Sequence, residues 1–301
     1  MSANNLLTLN KYGSAEMVVK NVQVSVLIEN TKNPNNSSLE SKHGLSFYVT
    51  ATVDDNKVTL LMDTGPSSEK LLHNVNELNV NLEEVDAVVL SHGHYDHTGG
   101  LMGALGQISK HVPVIGHPTV FSPKLSIMPH LRLIGAPFRS GDVESAKGVP
   151  ILATNPVKIV NGITTTGEVP RTTSFEKVKG FWAVKETKFV DDKILDDQSL
   201  IIDVEGKGLV VITGCAHSGI INTVKYAQKI TGTSQVYAVV GGFHLMGANE
   251  NRIQATIDEL KTLDPAVVAP CHCTGKVGIK KFAEQFKDRF VSVHTGTVIN
   301  L

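Results

Sequence analysis

Ser91-His92-Gly93-His94-Tyr95-Asp96-His97 follows directly on Val85-Asp86-Ala87-Val88-Val89-Leu90, and this stretch decides how the rest of the chain reads. Residues 85–90 form an apolar run that suits a buried strand. The histidines therefore fall on the loop at a strand's C-terminal end, where ligand-bearing loops of α/β proteins commonly lie. His92, His94, Asp96 and His97 place four potential metal ligands within six residues. On a helix, residues two apart point about 200° away from each other. His92 and His94 thus converge only on an irregular loop, and Gly93 gives the backbone the freedom to aim both rings inward. Asp96 and His97 then face an adjoining position. Neutral imidazole suits Zn, Fe, Mn or Ni, and carboxylate the harder of these. One or two divalent ions are expected, Zn first, with Mn or Fe as alternatives.

Upstream, residues 22–28, 45–53 and 57–62 read as strands, closed by Asp63-Thr64-Gly65-Pro66, and residues 68–78 carry helical spacing. Downstream, residues 200–204 and 209–213 read as a hairpin around Glu205-Gly206-Lys207-Gly208. A helix is expected near 221–230, strands at 236–240 and 266–269, and a helix at 252–263. Three later stretches each follow an apolar run and so reach the same rim: Gly214-Cys215-Ala216-His217, Gly241-Gly242-Phe243-His244 and Pro270-Cys271-His272-Cys273. His217 and His272 read as further metal ligands, and His244 as a weaker one that instead contacts substrate or supports a ligand. Cys215 has two readings, a thiolate on the metal or a small buried residue packing its turn. Asp63 reads as a carboxylate that accepts a ligating histidine's other N–H and fixes its tautomer.

The matching order of elements in the two halves predicts an α/β fold with two sheets packed face to face and helices outside. One domain over residues 1–301 is expected. Residues 121–197, rich in Pro, Gly, Ser and Thr, read as a loop-rich insertion forming one wall of the substrate pocket. The polar stretch 30–41 reads as a mobile loop.

Composition narrows the function classes. A chain of 301 residues with 41% hydrophobic and 19% charged residues can bury a sizeable core, and its net charge of −1 argues against nucleic acid as a partner. No apolar run approaches the roughly 18 residues that span a bilayer. No basic-then-apolar leader is evident either, so a cytoplasmic protein with no membrane partner is expected. The three cysteines, Cys215, Cys271 and Cys273, are too few for a disulfide framework. They also lack the second pair that a structural zinc knuckle needs. The glycines at 99–106 miss the dinucleotide-binding spacing, and Gly214–Gly219 does not match a nucleophile elbow.

Ser91 through Gly100 resembles the His-x-His-x-Asp-His signature of the metallo-β-lactamase superfamily, and Leu61-Met62-Asp63-Thr64-Gly65 looks like its preceding strand-end motif. The resemblance implies a four-layer αββα sandwich of two mixed sheets with the metals at one edge. It implies ligand roles for His92, His94, Asp96, His97 and His272. Lys42–Phe47, Gly167–Arg171, Thr213–Ile220, Gly241–Leu245 and Pro270–Gly275 are similar to the 7,8-dihydropterin-6-methyl-4-(β-D-ribofuranosyl)-aminobenzene-5′-phosphate synthase-like group. The chain departs from the superfamily at Thr213-Gly214-Cys215, where many two-metal members carry Thr-Gly-Asp and that Asp bridges the metals.

The leading expectation is a hydrolase with Asp96 in a catalytic role, in which a metal-bound hydroxide attacks a phosphoester, phosphodiester or lactone-like ester. The alternative is the group's transferase reaction, which joins a dihydropterin pyrophosphate to an aminobenzene ribofuranosyl phosphate and releases pyrophosphate. A non-catalytic metal-dependent sensor or binding protein is the third reading. The partner in each case is a small molecule, phosphorylated or an ester. His43, Glu168, Arg171 and His244, with Lys124 and Arg132, are the candidates for contacting it.

Overall fold

The computed structural model describes residues 18–127 and 130–301. The first half runs β1 (Val19–Ile28), β2 (Ser46–Val53), β3 (Asn56–Met62), α1 (Ser68–Glu77), β4 (Ala87–Val89), α2 (Tyr95–Thr98), α3 (Leu101–Gly106) and β5 (Val112–Gly116). β1, β2 and β3 form an antiparallel meander, and β4 and β5 add on parallel to β3. Residues 121–197 contribute β6 (Lys124–Ser126), β7 (Arg132–Leu133), α4 (Ser140–Ser145), β8 (Gly148–Leu152), β9 (Lys158–Val160), β10 (Ile163–Thr165), β11 (Phe181–Lys185) and β12 (Lys188–Asp191). The second half runs β13 (Ser199–Val204), β14 (Gly208–Thr213), α5 (Ile220–Thr231), β15 (Val236–Gly242), α6 (Glu250–Leu263), β16 (Val267–Cys271), α7 (Gly275–Phe286) and β17 (Val298–Asn300). β13 and β14 form the expected hairpin, and β14, β15 and β16 are parallel.

Period-2 alternation divides each strand between two cores. Val24, Val26, Phe47, Val49, Leu60 and Met62 share one buried cluster with Leu200, Ile202, Val210, Ile212 and Val240 of the second half. The intervening residues Leu27, Tyr48, Leu61 and Val88 pack on Leu71 of α1 and Leu101 of α3. On the far side Ile201, Leu209, Val211 and Val239 meet Ile221, Ile257 and Phe282 of α5, α6 and α7. Helix, sheet, sheet and helix thus form four layers. Each fully buried aliphatic or Phe side chain contributes about 1.5–3 kcal/mol. The helices start and stop on local chemistry: the Ser67 side chain accepts from Lys70 N at α1, Asn249 accepts from Arg252 N at α6, and Gly232 ends α5 at φ 78°.

The two packed sheet layers are linked edge to edge in one ladder, β16-β15-β14-β13-β1-β2-β3-β4-β5-β8, in which β1 meets the second half at Val19↔Val204 and through its antiparallel pairing with β17. Two expectations are corrected. The stretch 121–197, within which 128–129 lie outside the described residues, is not simply loop. β8 extends the ladder beyond β5, β10 pairs with β13, and β12-β11-β6-β7 form a separate four-stranded sheet. Strands of two to five residues are too short to leave a periodic signal. The polar stretch 30–41 is tied down: Asn33 Nδ2 donates to Thr295 O (2.8 Å), Glu40 N donates to Asn74 Oδ1 (2.9 Å), and Leu39 is buried. The expectations drawn from residues 1–17, among them the absence of a leader, lie outside the described residues. Among those described, no helix is long and apolar enough to cross a membrane.

Candidate metal centre

The C-terminal ends of β3, β4, β14, β15 and β16 gather at one rim, and each delivers a polar residue there. Asp63, Ala216, His244 and His272 sit just past four of these ends with φ of 57°, 52°, 46° and 49°. This left-handed conformation turns the chain back sharply and is disfavoured for non-glycine residues. Gly93 has no alternative residue. A Cβ there would lie 2.0 Å from Val120 O and 2.9 Å from Lys124 Cε.

Asp63 organises the loop. Its Oδ1 accepts from Ser91 N (2.7 Å), and its Oδ2 accepts from Ser91 Oγ (2.6 Å) and meets His97 Nδ1 at 2.6 Å. That contact leaves His97 Nε2 facing the rim. Asp196 Oδ2 accepts from Gly93 N (2.7 Å), while its Oδ1 accepts from the buried Lys124 ammonium (2.8 Å), which also donates to Asp192 Oδ2 (3.2 Å). His272 is held from the other side, its N–H donating to Glu29 Oε1 (2.7 Å) and its Nδ1 lying 2.9 Å from Asn30 Oδ1.

Two groups of donors result. His92 Nε2 lies 2.9 Å from His94 Nδ1 and 3.3 Å from His217 Nε2. Beside them, His97 Nε2 lies 3.2 Å from both His272 Nε2 and Cys215 Sγ, with Asp96 Oδ2 3.5 Å from His272 Nε2 and 3.7 Å from His97 Nε2. A tetrahedral ion with N and S ligands at 2.0–2.3 Å requires donor separations of about 3.3–3.8 Å. The observed spacings lie close to that, so both groups fit a divalent cation.

Burial pushes His92 and His217 well below the ordinary imidazole range and His94 down to about 3. These rings are neutral at neutral pH, the form a metal requires. At His97 burial opposes the charge, but Asp63 and Asp96 outweigh it and raise the ring to about 9. Burial likewise opposes ionisation of Asp96, yet His97, His272 and His43 hold its carboxyl well below the usual range. His43 Nε2 lies 3.1 Å from Asp96 Oδ2, and that hydrogen bond raises its own value.

A cleft of about 390 Å³ opens above the donors. Tyr95, Ile134 and Phe181 wall it, with Arg132 and Lys179 as its cations. Phe181 stacks on His94 at 5.1 Å between ring centroids. His43, His244, Cys215 and Cys273 also face this space, and the His244 ring lies 4.2 Å from that of His217. A larger surface hollow of about 600 Å³, bordered by Lys158, Asp203 and Gln235, contains none of the candidate ligands.

The structure therefore brings together His92, His94, Asp96, His97, Cys215, His217 and His272, with Asp63 behind them and His43, His244 and Arg132 at the cleft. Three expected substrate contacts lie elsewhere. Glu168 faces His117 Nε2 at 2.8 Å, Arg171 donates to the carbonyls of Lys193 and Ile194, and Lys124 is enclosed by its two aspartates. In each case the polar group is paired with another part of the chain away from the cleft. Lys179, Phe181, Cys273 and Asp196 were missed. The one local signal among them was Cys273, adjacent to His272.

A model of the metallo-β-lactamase superfamily matches residues 43–272. The chain is 37% identical over 287 residues to the 7,8-dihydropterin-6-methyl-4-(β-D-ribofuranosyl)-aminobenzene-5′-phosphate synthase of Methanocaldococcus jannaschii, which covers 93% of this chain and 97% of that protein. It is 34% identical over 278 residues to an uncharacterized protein of the same organism, covering 92% and 100%. Among solved structures it is similar to Tm1679, described as a metal-dependent hydrolase of the β-lactamase superfamily, with a TM-score of 0.75, 26% identity and coverage of 92% and 98%.

Proposed function

The chain belongs to the metallo-β-lactamase superfamily, and from that premise we propose that it is a metal-dependent transferase. It joins a dihydropterin pyrophosphate to an aminobenzene ribofuranosyl phosphate and releases pyrophosphate. The similarity to the Methanocaldococcus synthase, extending over 97% of that protein, supports the substrate pair. The observation that carries the reading is the charge of the cleft. Arg132 and Lys179 face it, and among the described residues lining it Asp96 is the one carboxylate. Such a cleft favours phosphorylated substrates, while Tyr95 and Phe181 offer flat faces to their rings.

In this reading His92, His94 and His217 hold one cation, and Asp96, His97 and His272 border a second. Zn is the first candidate, with Mn or Fe as alternatives. The bound metal supplies Lewis acidity to phosphoryl oxygens and to water. The chain's residues do the rest. Asp63 fixes the His97 tautomer, Arg132 and Lys179 neutralise the phosphates, and His43 and His244 border the reacting groups. The amine nitrogen bonds to the pterin methylene carbon, the C–O bond to pyrophosphate breaks, and the amine loses a proton. An enzyme of this substrate class fits the cytoplasm.

Hydrolysis of a phosphoester, phosphodiester or lactone-like ester is the second reading, favoured by the similarity to Tm1679. The test incubates metal-loaded protein with the pterin and aminobenzene pair and follows pyrophosphate and the mass of the joined product. Both are expected from the wild type. His94→Ala and Asp96→Asn should reduce the rate by on the order of 100-fold or more. Ester turnover without pyrophosphate would establish the hydrolase. Metal binding with neither reaction would leave a sensor.

A further inference from the structure

Sulfur is concentrated at the second donor group. Cys215 Sγ, Cys273 Sγ and a His272 ring nitrogen all lie within 4.8 Å of one another. Cys215 Sγ is also 3.2 Å from His97 Nε2, which is itself 3.2 Å from His272 Nε2. Neither cysteine is in a disulfide, and both face the cleft. The backbone is shaped for their approach. A Cβ at Gly242 would lie 2.6 Å from Cys273 Sγ and 3.2 Å from Cys215 Cα, so β15 has no side chain where the two cysteine stretches meet.

We propose that Cys215 and Cys273 act as a thiolate pair on the cation held by His97 and His272, making this position a two-sulfur, two-nitrogen site. As each sulfur–metal bond forms, the thiol proton leaves to solvent. Asp96 stays on the cleft side, 3.1 Å from His43. The rival role for the two thiols is that of small hydrophobes filling a turn. That role suits Cys271, which is fully buried in the core between the sheets and belongs to no donor group. It does not explain why Cys215 Sγ lies 3.2 Å from His97 Nε2, nor why Cys273 Sγ, which donates to Cys215 O at 3.4 Å, sits within 4.8 Å of both Cys215 Sγ and a His272 ring nitrogen. A two-sulfur site selects Zn²⁺ or Fe²⁺ over Mn²⁺ or Mg²⁺, because soft donors bind the softer ions.

The inference rests on the metal-centre reading, and cobalt(II) separates the two. Metal-free protein is titrated with Co²⁺, and the near-ultraviolet sulfur-to-cobalt charge-transfer band is recorded. The band is expected in the wild type, at about half its intensity in both Cys215→Ser and Cys273→Ser, and unchanged in Cys271→Ala. Absence of any cobalt binding overturns both readings. Cobalt binding without the band overturns the thiolate pair and leaves the metal centre standing. A band lost in Cys215→Ser but intact in Cys273→Ser overturns the pair as well. Should a serine variant fail to fold, the wild type decides through alkylation of its thiols with and without Zn²⁺. Protection of both Cys215 and Cys273 by the metal supports the pair, and an unchanged rate at Cys273 overturns it.

Discussion

Asp63 touches no substrate-facing surface, yet three donors converge on its two oxygens: the Ser91 amide, the Ser91 hydroxyl and the His97 ring. Removing it frees the ring to rotate and leaves the loop amide unpaired. Asp63→Ala is therefore expected to weaken metal binding about 10–100-fold, the usual cost of losing a partner behind a ligand. Competition against a chromophoric chelator measures this, and an unchanged affinity would show that His97 is oriented by something else. Asp63 was legible in the sequence because Asp-Thr-Gly closes the long strand that precedes the strand bearing the histidine loop. Asp196 was not legible. It lies 103 positions beyond the Gly93 amide it accepts from, and no local spacing marks such a pair.

The long strands and helices were legible because their apolar residues repeat with period 2 or 3.6 over enough positions to count. The short strands of residues 121–197 were not, since tertiary pairing rather than their own pattern fixes them. One of their ties to the centre is the Lys124 ammonium on β6, which bonds Asp192 and Asp196, while Asp196 also holds Gly93 N. Lys124→Met leaves the buried Asp196 and the half-buried Asp192 without their cation and is expected to cost about 3–5 kcal/mol. Burial disfavours the charged ammonium, but Asp196 and Asp192 outweigh it and raise its value. The raised value means the ion pair stabilises fully below the free-lysine value near 10.4 and is lost as pH climbs through the higher folded value. Urea melts from pH 7 to 11 should show the wild-type advantage over Lys124→Met steady to about pH 10 and shrinking above it. An advantage that is constant to pH 11 would refute the assignment.

At the scale of the whole molecule, the donors come from both halves of the ladder. His92, His94, Asp96 and His97 follow β4, whereas Cys215, His217 and His272 follow β14 and β16. Backbone pairing joins the halves at β1, which meets β13 at Val19↔Val204 and β17 at Gln23↔Asn300, Val24↔Ile299 and Ser25↔Val298. A cation at this rim ties them together and binds the folded chain alone. At a free concentration of about 1,000 times Kd it should add about 4 kcal/mol of stability. Calorimetry should show Tm falling on chelation and recovering when Zn²⁺ is restored. A chelator-insensitive Tm would mean the halves hold together without it. Histidines at the ends of distant strands suggested this meeting, but the sequence alone could not show which cations and aromatic rings stand over it.

The turned-back residues at Asp63, Ala216, His244 and His272 carry one further implication. Each holds a backbone shape that costs on the order of 1 kcal/mol for a residue with a side chain. Breeding this protein for heat tolerance alone would find quick gains by relaxing those four corners. Each gain would also re-aim a strand end and scatter the donors. Endurance and chemistry compete here for the same few positions.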